Sequence, residues 1–181
     1  MSLENDLATL DAFLSEFDPY LKSDVVFWNV GKANTPALTL CGILFLLRTL
    51  SVRRAQLDPE QSKEFARLDL LANDLLNRWM ANVEKKTLSE ISSRLNVWDA
   101  AFDELADHYP QAVHSRVYLA LLMPIVVHHD EAERFRQRLS GLDSRLRGTF
   151  TAGNFIWDAA IAPAFPRELF WYLYGKPARK N

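Results

Sequence analysis

Four histidines and one cysteine are the residues of this chain most often used for catalysis or metal binding. His128 and His129 are adjacent, but neighbouring residues on a helix point about 100° apart, which disfavours a shared metal ion. No histidine has glutamate three residues before it, as di-iron bundles require, and the His-Glu-x-x-His pattern of zinc proteases is also missing. The sequence therefore predicts no metal site and no cofactor.

Motifs for nucleophilic catalysis and phosphate binding are missing too. Cys41 lies among leucine and isoleucine residues, which favours a buried thiol that packs as a small apolar side chain. No serine has the Gly-x-Ser-x-Gly spacing of a nucleophile elbow. Gly31 and Lys32 lack the preceding glycine and the following hydroxyl residue of a phosphate-binding loop. These residues leave open whether the protein is an enzyme.

Two charged residues interrupt apolar segments. Arg48 stands within residues 41–50, and Asp158 follows Trp157 within residues 155–165. A buried charge is costly unless it is paired. We therefore predict that the two charges pair with each other or line a ligand cavity together with Trp157. The alternative is that each side chain points to solvent from the rim of its helix.

The C-terminal part of the chain is rich in aromatic residues. Tryptophan and tyrosine are favoured at protein interfaces, which predicts a surface for self-association or for a protein partner. Its candidate residues are Phe165, Phe170, Trp171, Tyr172 and Tyr174. One alternative is a lid packed on the helices. The other is a membrane-interface anchor helped by the basic residues of 176–181.

A group of arginines flanks the apolar stripe of the helix predicted after Asp130. Its members are Arg134, Arg136, Arg138, Arg145 and Arg147. Arginine stems often cover the edge of a core while their guanidinium groups stay in water. The alternative function is a surface that binds phosphate or an acidic partner.

Composition favours a cytoplasmic globular protein. Hydrophobic residues make up 49% of the chain, charged residues make up 24%, and the formal net charge is −2. That charge disfavours nucleic acid as the main partner. The single cysteine excludes an intrachain disulfide. The apolar runs 37–47 and 117–127 are shorter than the roughly 20 residues of a membrane span, so none is expected.

The fold class predicted is all-α, a bundle of six or seven helices in a single domain over residues 1–181. The few glycines and the long helical periodicities support this. A nearly all-apolar helix at about 36–55, started by Thr35 and Pro36, is expected at its centre.

A helical hairpin is predicted at about 59–107. Asp58 and Pro59 start it, and the apolar stripe rotates by roughly 140° between Val83 and Leu88, which favours a turn at Glu84–Lys86. One continuous helix is the alternative.

The other predicted elements are shorter. They are a helix at 3–17 ended by Asp18 and Pro19, a helix from Pro110 that Pro124 kinks or ends, a helix between Asp130 and Gly148, a short helix at 154–161, aromatic turns at 166–174 and a frayed basic tail at 176–181.

These patterns predict a non-enzymatic interaction or oligomerisation protein that uses the aromatic C-terminal surface. Its partner is another protein or a second copy of the chain. The alternative is a small-ligand binder or an enzyme, with a pocket inside the bundle near Arg48, Asp158 and Pro124. Binding of phosphate by the arginine face is a third interpretation.

Overall fold

The structure is a computed structural model that describes residues 2–32 and 35–178. It is mostly α-helical, as predicted, and it adds a two-stranded antiparallel sheet that the sequence did not predict. The chain divides into two compact units, Met1–Glu90 and Ile91–Asn181. The single-domain organisation stays a prediction. Within the described ranges, no helix is long and apolar enough to cross a membrane.

The helices and strands follow one another along the chain with short 3-10 turns between some of them. They are α1 (Leu3–Ser15), α2 (Phe17–Lys22), α3 (Leu40–Val52), α4 (Pro59–Arg78), α5 (Met80–Ala100), α6 (Leu105–Leu122), α7 (Ala132–Arg147), β1 (Phe150–Phe155) and β2 (Tyr174–Pro177). The 3-10 turns are Arg54–Gln56, Ala101–Asp103, Met123–Val126, Ala159–Ala164 and Trp171–Leu173.

In the first unit, α1 packs against α3 and α4. The break predicted at Asp18 and Pro19 comes earlier, because α1 ends at Ser15 and Pro19 lies in the first turn of α2, where proline is tolerated.

Helix α3 supplies much of the core of this unit, as its apolar sequence predicts. Its buried apolar residues are Leu40, Cys41, Ile43, Phe45, Leu46 and Leu50. The helix starts later than the predicted 36, since Leu38 and Trp28 exchange backbone hydrogen bonds of 2.8 and 3.0 Å. Thr39, rather than Thr35, caps the helix by accepting from the N–H of Gly42 at 3.1 Å.

A buried carboxylate completes the start of α3. Oε2 of Glu90 accepts hydrogen bonds from the backbone N–H of Leu40 at 3.0 Å and of Cys41 at 3.4 Å. A negative charge is favourable at this end of a helix, because free N–H groups and the helix dipole meet there. Cys41 is buried, as predicted. The carboxylate therefore caps α3 from a position 50 residues further along the chain.

The predicted hairpin turn at Glu84–Lys86 is wrong, because these residues lie inside α5. Helices α4 and α5 meet at Trp79, whose N–H donates to Leu75 at 3.1 Å and whose carbonyl accepts from Val83 at 2.9 Å. The chain therefore continues forward through a one-residue interruption instead of folding back. The backbone leaves the helical range at Trp79, with φ −110 and ψ 27, whereas the change of phase between Val83 and Leu88 lies within α5.

In the second unit, α6 starts at Leu105 rather than at the predicted Pro110. His108 departs from helical geometry (φ −122, ψ 22), which relieves the clash that Pro110 makes with the preceding turn. Helix α7 follows Glu131 without a side-chain cap, so the predicted cap at Asp130 is wrong. Its end before Gly148 is confirmed.

Of the short helix predicted at 154–161, residues 154 and 155 lie in β1 and residues 159–161 lie in a 3-10 turn, while β2 includes residues 176 and 177 of the predicted tail. The paired residues of the two strands are Phe150 with Pro177, Thr151 with Lys176, and Ala152 with Gly175. The sheet is extended by Ala178, whose N–H donates to the carbonyl of Thr149 at 2.8 Å. Residues 176–178 are thus held by the sheet, and residues 179–181 lie outside the described residues.

Candidate functional site

A groove of about 400 Å³ opens on the second unit beside the end of α7 and the sheet. We call it the arginine–aromatic groove, and it is lined by Arg147, Phe150, Ala152, Arg167, Trp171 and Tyr174. Two guanidinium groups and three aromatic rings therefore share one concave surface.

Each guanidinium in the groove stacks on an aromatic ring. The central carbon of the Arg147 guanidinium lies 3.8 Å from the centroid of Trp171. The corresponding distance from Arg167 to Tyr174 is 4.9 Å. Arginine stacks well on aromatic faces because its planar cation is attracted by the electrons of the ring. Stacking limits the motion of both side chains without using up their hydrogen-bond donors.

Both guanidinium groups have donors available to an external ligand. The two side chains are exposed, and no carboxylate in the described part of the chain forms an ion pair with either of them. The Arg167 guanidinium donates one hydrogen bond, to the carbonyl of Gly153 in β1. That bond ties Arg167 to the strand that borders the groove.

Trp171 is positioned by a buried network around the next residue. The Tyr109 hydroxyl donates to the carbonyl of Tyr172 at 2.6 Å, and Arg116 donates to the Tyr172 hydroxyl at 3.3 Å. Asp143 on α7 holds Arg116 by two hydrogen bonds of 2.7 and 2.8 Å. Burial raises the pKa of Tyr109 well above its usual range, so its hydroxyl stays a neutral donor. The turn that contains Trp171 is therefore fixed to both α6 and α7.

Gly175 allows the sheet to form the wall of the groove. Its φ of +142 favours glycine, and a Cβ atom there would lie 2.2 Å from the carbonyl oxygen of Thr151 and 2.8 Å from the ring of Phe150. The Phe150 ring packs edge-on against Trp171, with centroids 5.1 Å apart. A side chain at Gly175 would displace both the strand and Phe150.

The structure divides the predicted aromatic surface into two sets. Phe165, Phe170 and Tyr172 are buried, and an interface function for them stays a prediction. Trp171 and Tyr174 are half-buried and line the groove. An interface function for these two residues stays a prediction.

Arg48, Asp158 and Trp157 lie in different surroundings. Arg48 is half-buried on α3 in the first unit. Asp158 is exposed in the second unit, where its carboxylate accepts from the N–H of Ala160 at 2.9 Å and caps a 3-10 turn. The pairing of the two charges stays a prediction. Trp157 stacks on His114, with centroids 4.2 Å apart.

Most arginines of α7 are engaged with neighbouring carboxylates. Arg136 pairs with Glu133 at 3.0 Å, while Arg138 and Arg145 reach Asp99 at 3.3 and 3.7 Å. Arg145 also lies over the ring of Phe102 at 4.5 Å, and the covering of the core edge by the other arginines stays a prediction. Arg147 differs because it stacks on an aromatic ring inside the groove.

The sequence did not predict that Arg167 lines the groove, or that Phe150 lines it and packs against Trp171. The available signal was the β-propensity of Phe150 and Thr151 and of the tyrosines at 172 and 174, which predicts strands rather than helical turns. No tight-turn motif joins them, because 18 residues separate the two strands.

The described residues hold no group of three or more His, Cys, Asp or Glu side chains arranged to bind a metal ion. No family model, no curated protein and no solved structure matches the chain. The chemistry of the groove therefore carries the functional inference.

Proposed function

We propose that this chain is a binding protein that recognises an acidic segment of a protein partner in the arginine–aromatic groove. The supporting observation is the pair of exposed, ring-stacked guanidinium groups that line one concavity and have no carboxylate partner among residues 2–32 and 35–178. Arginine held in this way loses less side-chain freedom when it binds a carboxylate, which strengthens binding.

The composition of the groove supports binding rather than acid–base chemistry. Its side chains are arginine, aromatic residues and one alanine. The Tyr174 hydroxyl donates to the carbonyl of Phe165 at 2.9 Å, so it is held as part of the fold. Aromatic residues and arginine are enriched where proteins bind one another. A cytoplasmic location stays a prediction.

A protein partner is favoured over nucleic acid because of the charge of the whole chain. The formal net charge is −2, which gives no long-range attraction for a polyanion. The two arginines instead provide a local positive site that suits a few carboxylates beside apolar side chains.

The test is a titration of the full chain against a short fluorescein-labelled peptide in which glutamate and valine alternate. Fluorescence anisotropy at low salt measures the affinity. Each charge-assisted contact is worth about tenfold or more, so the double variant Arg147→Ala, Arg167→Ala should bind about a hundredfold more weakly. Added salt should also weaken binding by the unmodified chain.

A matched control removes two positive charges elsewhere. Lys63 and Arg134 are exposed and form no ion pair within the described ranges, so Lys63→Ala, Arg134→Ala should keep the affinity of the unmodified chain. Equal losses in the two double variants would show that only overall charge attracts the peptide. That result would overturn the groove as the binding site.

A further inference from the structure

We infer that the acidic segment binds as an added strand along the open edge of β1, next to the arginine–aromatic groove. This inference rests on the proposed function, because it specifies the backbone conformation in which the acidic segment is held. Strand addition to a sheet edge uses main-chain hydrogen bonds for affinity and side-chain contacts for specificity.

The register of the sheet determines which main-chain groups of β1 point outward. In an antiparallel pair, residues alternate between hydrogen-bonded and non-hydrogen-bonded positions. Ala178 donates to the carbonyl of Thr149, and Pro177, which is opposite Phe150, has no N–H to donate. Phe150 is therefore in a non-hydrogen-bonded position, and so is Ala152, two residues further along.

The N–H and carbonyl groups of Phe150 and Ala152 are directed away from β2. No hydrogen bond joins them to any residue in the described part of the chain outside the strand pair. The sheet has two strands, so no third strand covers this edge in the ranges described. An incoming strand bonds alternate residues of its neighbour, which is the spacing that Phe150 and Ala152 provide.

The regular part of this edge is residues 150–152, because the register shifts between Ala152 and Phe155. The exposed residues 151–154 of β1 are Thr, Ala, Gly and Asn, with neither charge nor proline among them. Natural edge strands are normally blocked by lysine, proline or a covering element. An uncharged, open edge beside a groove is a suitable template for an extended peptide.

Charge selects an acidic segment as the occupant. Phe150 and Ala152 line the same groove as Arg147 and Arg167, and Arg167 also contacts β1 at Gly153. A strand on this edge would therefore place its side chains within reach of both guanidinium groups. Complementary charge favours carboxylates at these positions and disfavours a basic strand.

The experiment compares the glutamate–valine peptide with two N-methylated forms, one methylated at every glutamate nitrogen and one at every valine nitrogen. In an added strand, the N–H groups of alternate residues point toward β1, so either the glutamates or the valines donate to it. We expect one methylated form to lose at least tenfold in affinity and the other to bind like the parent peptide.

A variant of the protein tests the same edge. Ala152→Pro removes an outward N–H without removing a hydrogen bond to β2, and it should weaken binding about five- to tenfold. The matched variant Ala152→Thr enlarges the same side chain but keeps the N–H, so Ala152→Pro should lose more affinity than Ala152→Thr, and equal losses in the two variants would overturn the added strand. Circular dichroism and thermal unfolding of both variants establish that they fold.

The possible outcomes separate this inference from the proposed function. If the parent peptide binds through Arg147 and Arg167 but both methylated forms bind equally well, the groove recognises charge alone and strand addition is overturned. If the parent peptide fails to bind, both proposals fail. A dimer of the free chain that Ala152→Pro dissociates, measured by light scattering, would show that a second copy occupies the edge and would overturn the inference.

Discussion

The contact between His114 and Trp157 predicts that acid destabilises this protein. The two rings stack with their planes 24° apart, and Trp157 is fixed by a hydrogen bond of 2.9 Å from its indole N–H to the carbonyl of Pro110. Burial, together with the positive charge of Arg94, lowers the pKa of His114 from 6.5 to about 4. The folded state therefore holds this imidazole neutral under conditions in which the unfolded chain protonates it.

The sign and size of the effect follow from these two pKa values. Between pH 6.5 and about 4, the unfolded state binds more protons than the folded state. The contribution of the neutral His114 to the free energy of unfolding is therefore fully present above pH 6.5 and is lost as the pH falls through this range. At about 1.4 kcal/mol for each pH unit, the loss attributable to His114 is about 3 kcal/mol.

The assay is urea unfolding followed by tryptophan fluorescence and far-ultraviolet circular dichroism, from about pH 7 down to about pH 4. The control is His114→Gln, which keeps a polar side chain and does not titrate. The free energy of unfolding of the unmodified chain should fall by about 3 kcal/mol more than that of the variant. Subtracting the two curves removes the contribution of the carboxylates.

A parallel loss of stability in the two proteins would refute the reasoning. The same conclusion would follow if nuclear magnetic resonance showed the His114 ring titrating near its ordinary pKa of 6.5. Replacing Trp157 by alanine opens the imidazole to water, so the pKa of His114 in that variant should rise toward 6.5.

Three further predictions concern the framework of each unit. Asp143→Ala leaves the buried charge of Arg116 without its two hydrogen bonds, and should lower the free energy of unfolding by about 3–5 kcal/mol in urea titrations. Gly175→Ala should lower the free energy of unfolding by about 1–3 kcal/mol from backbone strain, to which the clash of its Cβ atom with Thr151 adds. Gly141→Ala lies in open space on α7 and should instead raise the melting temperature. Glu90→Ala leaves two backbone N–H groups of α3 unsatisfied and should cost about 2–3 kcal/mol, and a loss below about 0.5 kcal/mol would contradict the capping function of Glu90.

The sequence predicted those elements whose signals lie within a few neighbouring residues. Helix α4 starts where Asp58 and Pro59 indicate, and the Asp58 side chain accepts from the N–H of Gln61 at 2.8 Å. Its predicted apolar stripe is buried along one face. Helix α7 likewise ends before Gly148 as expected. Caps and stripes act over one or two helical turns, so local sequence is sufficient to determine them.

The predictions were wrong where the local sequence was compatible with more than one structure and a contact with a distant residue determined which one formed. The predicted cap of α3 was Thr35, but the backbone pairing of Leu38 with Trp28 keeps residues before 39 out of the helix, and Thr39 is the cap. The phase change after α4 was compatible with a turn or with a continued helix. The structure continues the helix, and Lys86, inside the predicted turn, donates to the carbonyl of Ser23 at 2.6 Å, a contact 63 residues apart in sequence.

The arginine–aromatic groove could be recognised only from the tertiary structure. The sequence by itself determined a mostly helical chain, an arginine-rich α7 and an aromatic C-terminal segment. It did not determine that Arg147 would meet Trp171, or that residues 150–155 would pair with residues 174–177. Strand pairing without a tight turn depends on where other elements hold the two segments. Here the buried Tyr109 and Arg116, together with the half-buried Asp143, hold Tyr172 in the turn before residues 174–177, and no local pattern records that contact.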